Sequence, residues 1–262
     1  MTGWLLRWRR ARTLERRAIP EPLWRLTLAR FPFLSARNAA DLGELREMAT
    51  LFLSAKEFTG AGGLQVSDEM AVAIAAQACL PALKLGLHWY DGFVGIVVHE
   101  DAVVARRETE DDDGIVHAFN EELSGEAMSG GPVMLAWRDV DGAGESAAVG
   151  YNVVVHEFAH VIDMRAGATS AWQEANAGDD SERGRWLFAL CRAYQSFAED
   201  VDAGRDTFLD PYGAESVEEF FAVASEAFFV APSDLRAEQP RVYALLSAFF
   251  KQDPLAGAAT VD

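Results

Sequence analysis

The chain has 262 residues, half of them apolar and including seven Trp and sixteen Phe, enough for a packed core and incompatible with a disordered chain. Its formal charge of −18 argues against general nucleic-acid binding. That charge is unevenly spread: residues 1–17 hold six arginines and one glutamate, a net of +5, which leaves −23 on the remainder.

The first 20 residues read as a basic tail or helix. Trp4, Leu5, Leu6 and Trp8 stand among Arg7, Arg9, Arg10 and Arg12. This is either an amphipathic surface or partner-binding helix, or a solvated basic tail docked on an acidic body. No apolar run of signal-peptide length follows Arg9-Arg10, and no segment approaches the ~20 apolar residues that a membrane span needs. Residues 21–30 and 40–58 carry apolar positions at helical spacing, as in Leu42, Leu45, Met48 and Phe52. Gly60 to Gly63 breaks that pattern. Ser67 then caps a predicted helix over 68–80 that Pro81 ends, Ala-rich and without a polar stripe, hence buried.

The period changes at residue 93. Phe93 to Val98 and Val103-Val104 are β-branched runs about Glu100-Asp101, which predicts a hairpin. Glu108 to Asp113 predicts a solvated acidic loop, Gly130 to Trp137 a turn and strand, and Asp139 to Glu145 a loop. A helix is expected from Ser146 or Ala147, then a surface loop over 167–182. Helices over 184–199, 216–230 and 239–251 complete the body, leaving 252–262 as a tail. The order predicts one α+β domain over 21–251, mostly helical with a small mixed sheet. Cys79 and Cys191 lack any C-x-x-C spacing and read as reduced thiols, which suits a cytoplasmic protein.

Chemistry concentrates in Val153-Val-Val-His-Glu-Phe-Ala-His-Val-Ile-Asp163. His156 and His160 are four apart, so on a helix they project from one face, one turn above the other. Two such imidazoles can hold one Zn²⁺, and Glu157 can take a proton from a water on that ion. The apolar frame describes a buried helix, whose polar groups need partners. A catalytic zinc needs a third protein ligand and one open position. His88, His99 and His117 all lie upstream, so a carboxylate from the helix beginning at Ser216 is expected. Glu219 and Glu226 are seven apart there, about 10 Å along the axis at ~1.5 Å per residue, too far to share one ion. Glu219 is the preferred ligand, although Ser216 with Glu219 also makes a capping box. Glu226, flanked by Ala and Phe, is the supporting group or the alternative ligand. Asp163 is placed to accept a ring N–H from a ligand histidine.

The chain resembles the Mlc titration factor A family of bacterial zinc peptidases, whose catalytic core is similar to that of anthrax lethal factor. The resemblance rests on Gly131-Pro-Val-Met-Leu-Ala-Trp137, Asn152 to Asp163, Pro211-Tyr-Gly and Glu219 to Glu226, with weaker likeness through Phe52 to Phe58. It implies a zincin-like (gluzincin) metallopeptidase fold with one Zn²⁺ per chain, Glu219 as third ligand and Tyr212, seven residues earlier, near the metal. A phenol there can donate to the oxyanion that forms when water attacks a carbonyl. The resemblance further implies small aminopeptidase-type peptide substrates and a transcriptional repressor of the Mlc type as partner, with a link to sugar-uptake control. Hydrolysis would use Glu157 as base, with the strand at Val133 to Trp137 aligning an extended substrate or serving only as core. The competing expectation is a zinc-containing regulator, weakly or not catalytic, that sequesters a transcription factor.

Overall fold

Two helices without a polar stripe form the centre of the molecule, and the other elements cover them. The computed structural model describes residues 3–110, 116–128, 130–167 and 181–256. Four helices come first: α1 (Gly3–Arg17), α2 (Glu21–Arg30), α3 (Pro32–Ser35) and α4 (Ala39–Ala55). Strand β1 (Glu57–Gly60) leads to α5 (Asp68–Ala82), then to β2 (Gly95–His99), β3 (Val103–Glu110) and β4 (Val116–Leu123). Next are β5 (Gly125–Ala127), β6 (Val133–Ala136), α6 (Trp137–Ser146) and α7 (Val153–Ala166). The last four helices are α8 (Glu182–Asp202), α9 (Val217–Val230), α10 (Pro232–Glu238) and α11 (Pro240–Phe250).

The sheet order is β1-β2-β6-β5, with β1, β2 and β6 parallel and β5 antiparallel to β6. It is small and mixed, within a mostly helical α+β chain. Helix α5 makes the crossover between the parallel strands β1 and β2, as such a connection requires. Ser67 caps α5 by accepting from Met70 N–H. Every residue of α5 from Val72 to Ala82 is buried. Pro81 lies inside the helix rather than ending it.

Several expectations change. Phe93 to Val98 does not fold back on Val103-Val104: β2 is an interior strand between β1 and β6, while β3 pairs with β4 in a separate ribbon. The β-branched runs are strands, but their partners lie far along the chain, which a local pattern cannot reveal. Glu108 to Glu110 belongs to β3, and 111–115 lies outside the described residues. Glu57 and Phe58, read as the end of a helix, belong to β1, and Asp139 to Glu145, read as loop, lies in α6. The expected helix over 239–251 is α11, and the unpredicted short helix α10 before it stops at Gln239, which precedes Pro240; the residue before proline is driven out of helical backbone. Residues 168–180 of the expected 167–182 loop lie outside the described part. The chain does not leave the body at 252: Gln252 is buried and its amide donates to Leu80 O at 3.0 Å. Among the described residues, no helix is long and apolar enough to cross a membrane.

Two aromatic clusters fix the central helices. Phe158 of α7 sits against Tyr90, Phe52 and Phe93, with ring centroids 5.0, 5.7 and 5.9 Å away. Phe221 and Phe228 of α9 pack on Phe249, Phe250 and Tyr243 of α11. Helices α7 and α9 also pack on each other, so the two clusters position one shared surface.

Candidate metal centre

Helix α7 starts where Asn152 turns the chain: its side-chain oxygen accepts from Val155 N–H at 2.9 Å. The helix therefore begins at Val153, not near Ser146, and ends at Gly167, whose φ of 65° is the left-handed conformation that glycine takes without strain. His156 and His160 leave one side of α7, their ring centroids 4.8 Å apart. Helix α9 is capped by Ser216, which accepts from Glu219 N–H at 3.1 Å. The Glu219 carboxylate is turned to the imidazoles.

Three donor atoms meet there. Glu219 Oε2 is 3.2 Å from His156 Nε2 and 3.3 Å from His160 Nε2, and the two ring nitrogens are 3.1 Å apart. Three protein ligands of a tetrahedral zinc site, with bonds of about 2.0–2.1 Å, are separated by about 3.3–3.4 Å. The triangle has nearly that size. Its third corner is buried and, among the described residues, is given no hydrogen bond of good geometry, despite lying within ion-pair distance of both rings. A buried carboxylate oxygen in that position calls for a cation. His156, His160 and Glu219 are thus a group that can hold a metal ion.

Glu226 supports the triangle from behind. Its Oε1 lies 2.7 Å from His156 Nδ1, the nitrogen facing away from the other donors. Its Oε2 accepts from Asn152 N–H at 2.5 Å. The Asn152 amide in turn donates to Gln77 Oε1 at 2.7 Å, and Gln77 donates to Ala73 O at 3.2 Å within α5. With Nδ1–H given to Glu226, the Nε2 lone pair of His156 is left for the triangle. Glu219 and Glu226, seven residues apart on α9, address opposite nitrogens of one ring. Burial opposes charge on His156, but Glu226 and Glu219 outweigh it and raise its pKa well above the ordinary imidazole range. Burial likewise works to raise Glu219, yet the two imidazoles beside it hold its carboxyl at about 2. A cation held by His156, His160 and Glu219 would take the place of the proton that these groups otherwise compete for.

Glu157 is nearly buried, and burial pushes its carboxyl up to about 7 against the pull of His156 and His160. The backbone of β5 is pressed against it: a Cβ on Gly125 would lie 2.5 Å from Glu157 Oε1. Tyr212 sits in a short turn capped by Asp210, 38% exposed, its ring 6.2 Å from that of His156. Asp163 is 3% exposed and lines a separate cavity of about 570 Å³ beside Trp89, Trp186 and Phe221. The carboxylate bonded to the ring of His156 is that of Glu226. A cavity of about 420 Å³ adjoins the triangle, with His156 and Glu157 on one side and Val149, Tyr151, Phe208 and Leu209 on the other. Burial pushes the Tyr151 phenol up to about 12, against a hydrogen bond with Ser124.

Strand β6 is not available to a substrate by edge pairing, since β2 and β5 occupy both its sides. The strand flanking Glu157 is β5, at the sheet edge. Sequence reasoning missed Gly125, Tyr151 and Gln77. Gln77 left a signal: it is the single polar side chain between Ala71 and Pro81.

The pattern of the glucose-regulated metallo-peptidase M90 family matches residues 5–251. Among curated proteins, the chain is 33% identical over 248 residues to an uncharacterized protein of Synechocystis, covering 94% of this chain and 89% of that one. It is 32% identical over 227 residues to the Mlc titration factor A of Yersinia pestis, covering 86% of this chain and 83% of the relative. The Mlc titration factor A of Yersinia pseudotuberculosis is equally similar.

Proposed function

Since this chain belongs to the glucose-regulated metallo-peptidase M90 family, with Mlc titration factor A among its relatives, we propose that it is a zinc-dependent peptidase of the zincin-like, gluzincin type. The observation that carries this reading is the triangle of His156, His160 and Glu219 with Glu157 beside it. Zinc held there supplies Lewis acidity, making water acidic enough to lose a proton near neutrality and polarising a carbonyl. Glu157 accepts the proton of the attacking water and later returns it to the leaving amine. Tyr212 donates a hydrogen bond to the carbonyl oxygen as that atom gains charge. Glu226 and Asn152 hold the His156 ring in one tautomer.

Substrate alignment belongs to β5, whose backbone touches Glu157 and which stands at the sheet edge. The adjoining cavity accepts one apolar side chain against Val149, Phe208 and Leu209. Small aminopeptidase-type peptides suit a cavity of about 420 Å³. Asp163 contributes from the far end of α7 as a buried supporting carboxylate. Two unpaired cysteines, one buried and one half-buried, accord with a cytoplasmic location.

The experiment is Glu157→Gln in protein whose metal content is measured in parallel. Hydrolysis of short peptides should fall by about 10²–10⁴-fold while stoichiometric zinc is kept. Undiminished hydrolysis by the variant would remove Glu157 from its role, and wild-type protein lacking any divalent ion would remove the whole reading. A second reading, sequestration of a transcriptional repressor of the Mlc type, is favoured by the name of the relatives. It predicts that the Glu157→Gln protein still captures such a repressor uncleaved.

A further inference from the structure

Helix α1 packs along α4 by one side and leaves the other open. Thr13 and Leu14 are its half-buried residues, and Arg10 reaches Glu47 of α4 at 3.9 Å; the other described side chains are exposed. Trp4 is 64% exposed, Trp8 49% and Leu5 39%. Burying an indole ordinarily removes 150–250 Å² from water, so two exposed tryptophans on one short helix are a substantial unmet hydrophobic surface.

Their arrangement follows from the helical period of about 100° per residue. Trp4, Leu5, Trp8 and Arg12 fall on one side, away from the Thr13–Leu14 side that meets the body. Arg12 lies over the Trp8 ring, its guanidinium carbon 5.1 Å from the centroid. Arg7 lies on one flank of the apolar stripe, and Arg9 and Arg16 on the other. Glu15, the single acid in the helix, falls on the stripe's own side, about 10 Å along the axis beyond Trp8. Cations flank apolar rings on a face that no described element covers.

We propose that α1 lies flat on an anionic lipid surface, with Trp4, Leu5 and Trp8 inserted at the headgroup level and Arg7, Arg9, Arg12 and Arg16 paired with lipid phosphates. In-plane helices of this kind bind by apolar burial together with attraction to acidic lipids. Tryptophan favours the interface, where one edge is apolar and the other wet. Arginine matches phosphate in a two-pronged way and contributes about fivefold in partitioning per residue near an acidic bilayer. The net charge of −18 does not prevent this, because acids more than about 8 Å from the lipid are screened at physiological salt. Neither a second copy nor a nucleic acid fits as well: a second copy would bring two sets of arginines together, and a nucleic acid leaves the apolar stripe without apolar contact.

The test is co-sedimentation of the full chain with vesicles of phosphatidylcholine alone or with 30% phosphatidylglycerol. Uptake by the acidic vesicles should exceed that by neutral ones by tenfold or more and fall as salt rises. Trp4→Ala/Trp8→Ala, and separately Arg7→Gln/Arg9→Gln/Arg12→Gln/Arg16→Gln, should each lower uptake at least tenfold while zinc content and peptide hydrolysis stay unchanged. Three results would overturn the proposal. One is equal uptake by both vesicle types. Another is uptake indifferent to both variants. The third is a Trp-dependent dimer, or retention on duplex DNA, in place of vesicle binding. None of these outcomes depends on the metal centre being catalytic.

Discussion

Helices α1 and α7 are of similar length and opposite design, and the contrast shows what burial demands of a sequence. Helix α7 is apolar nearly all round, so its few polar side chains had to be matched inside the fold. His156 meets Glu226, Glu226 meets Asn152, and Asn152 meets Gln77 of α5. Helix α1 is basic nearly all round, and its unmatched groups are instead the tryptophans. In the first case a polar residue without a partner costs several kcal/mol, and the protein supplies the partner. In the second case an apolar residue without a partner costs little structurally and stays available to something outside the chain.

If that contrast is right, stability should respond steeply to changes in α7 and hardly at all to changes in α1. The largest effect belongs to Phe158→Ala, which removes the ring joining α7 to Phe52, Tyr90 and Phe93. Urea unfolding should show a loss of about 3–5 kcal/mol. Glu226→Ala comes next, because it leaves His156 Nδ1 and Asn152 N–H buried without an acceptor. We expect about 3 kcal/mol of destabilisation and a 10–100-fold loss of zinc affinity in a competition titration. Glu226→Gln should recover part of the stability and less of the affinity, since an amide can accept from His156 but carries no charge. Equal zinc affinity in wild type and Glu226→Ala would mean that the triangle is held without its rear support. Gln77→Ala tests the far end of the same chain of bonds. It strands the Asn152 amide, at a cost of about 1–3 kcal/mol, and should weaken zinc binding only a few-fold. A loss of zinc affinity as large as that of Glu226→Ala would show that Gln77 positions the ring as tightly as Glu226 does.

The legibility of these elements in sequence follows the same division between local and distant partners. The spacing of His156 and His160, the caps at Ser67 and Ser216, and the buried character of α5, α7 and α9 are set within one or two helical turns. A window of the sequence contains that information. That Glu219 and Glu226 would not meet at one point could also be read from their seven-residue offset, because helical rise fixes their distance; which of them faces both imidazoles could not. What escaped was any feature decided by long-range pairing. Strand β2 joins β1 and β6 rather than its neighbour in sequence, which no alternation of side chains encodes. The same applies to Gly125, whose missing side chain matters only because β5 returns against Glu157, 32 residues later. Asp139 to Glu145 reads as loop because Gly142, Gly144 and several acids have poor helical preference, yet it is helical in α6. There Val140 and Ala143 are buried, and packing outweighs the local preference.

The smallest expected effect is the sharpest test of the contrast. Trp4→Ala/Trp8→Ala deletes two of the largest side chains in the protein, whereas truncating even one buried Phe of α9 costs about 3–5 kcal/mol. On α1 the two rings face outward, so their removal takes away almost no folded-state contact; the loss is the Arg12–Trp8 contact, worth about 0.5–1 kcal/mol at an exposed site. The midpoint of urea unfolding should therefore shift by less than about 1 kcal/mol of stability, and removing exposed apolar surface should raise solubility rather than lower it. A loss above 2 kcal/mol would mean that the tryptophans are matched within the fold after all. The exposed face of α1 would then be part of the body, and its rings would be unavailable to a lipid surface.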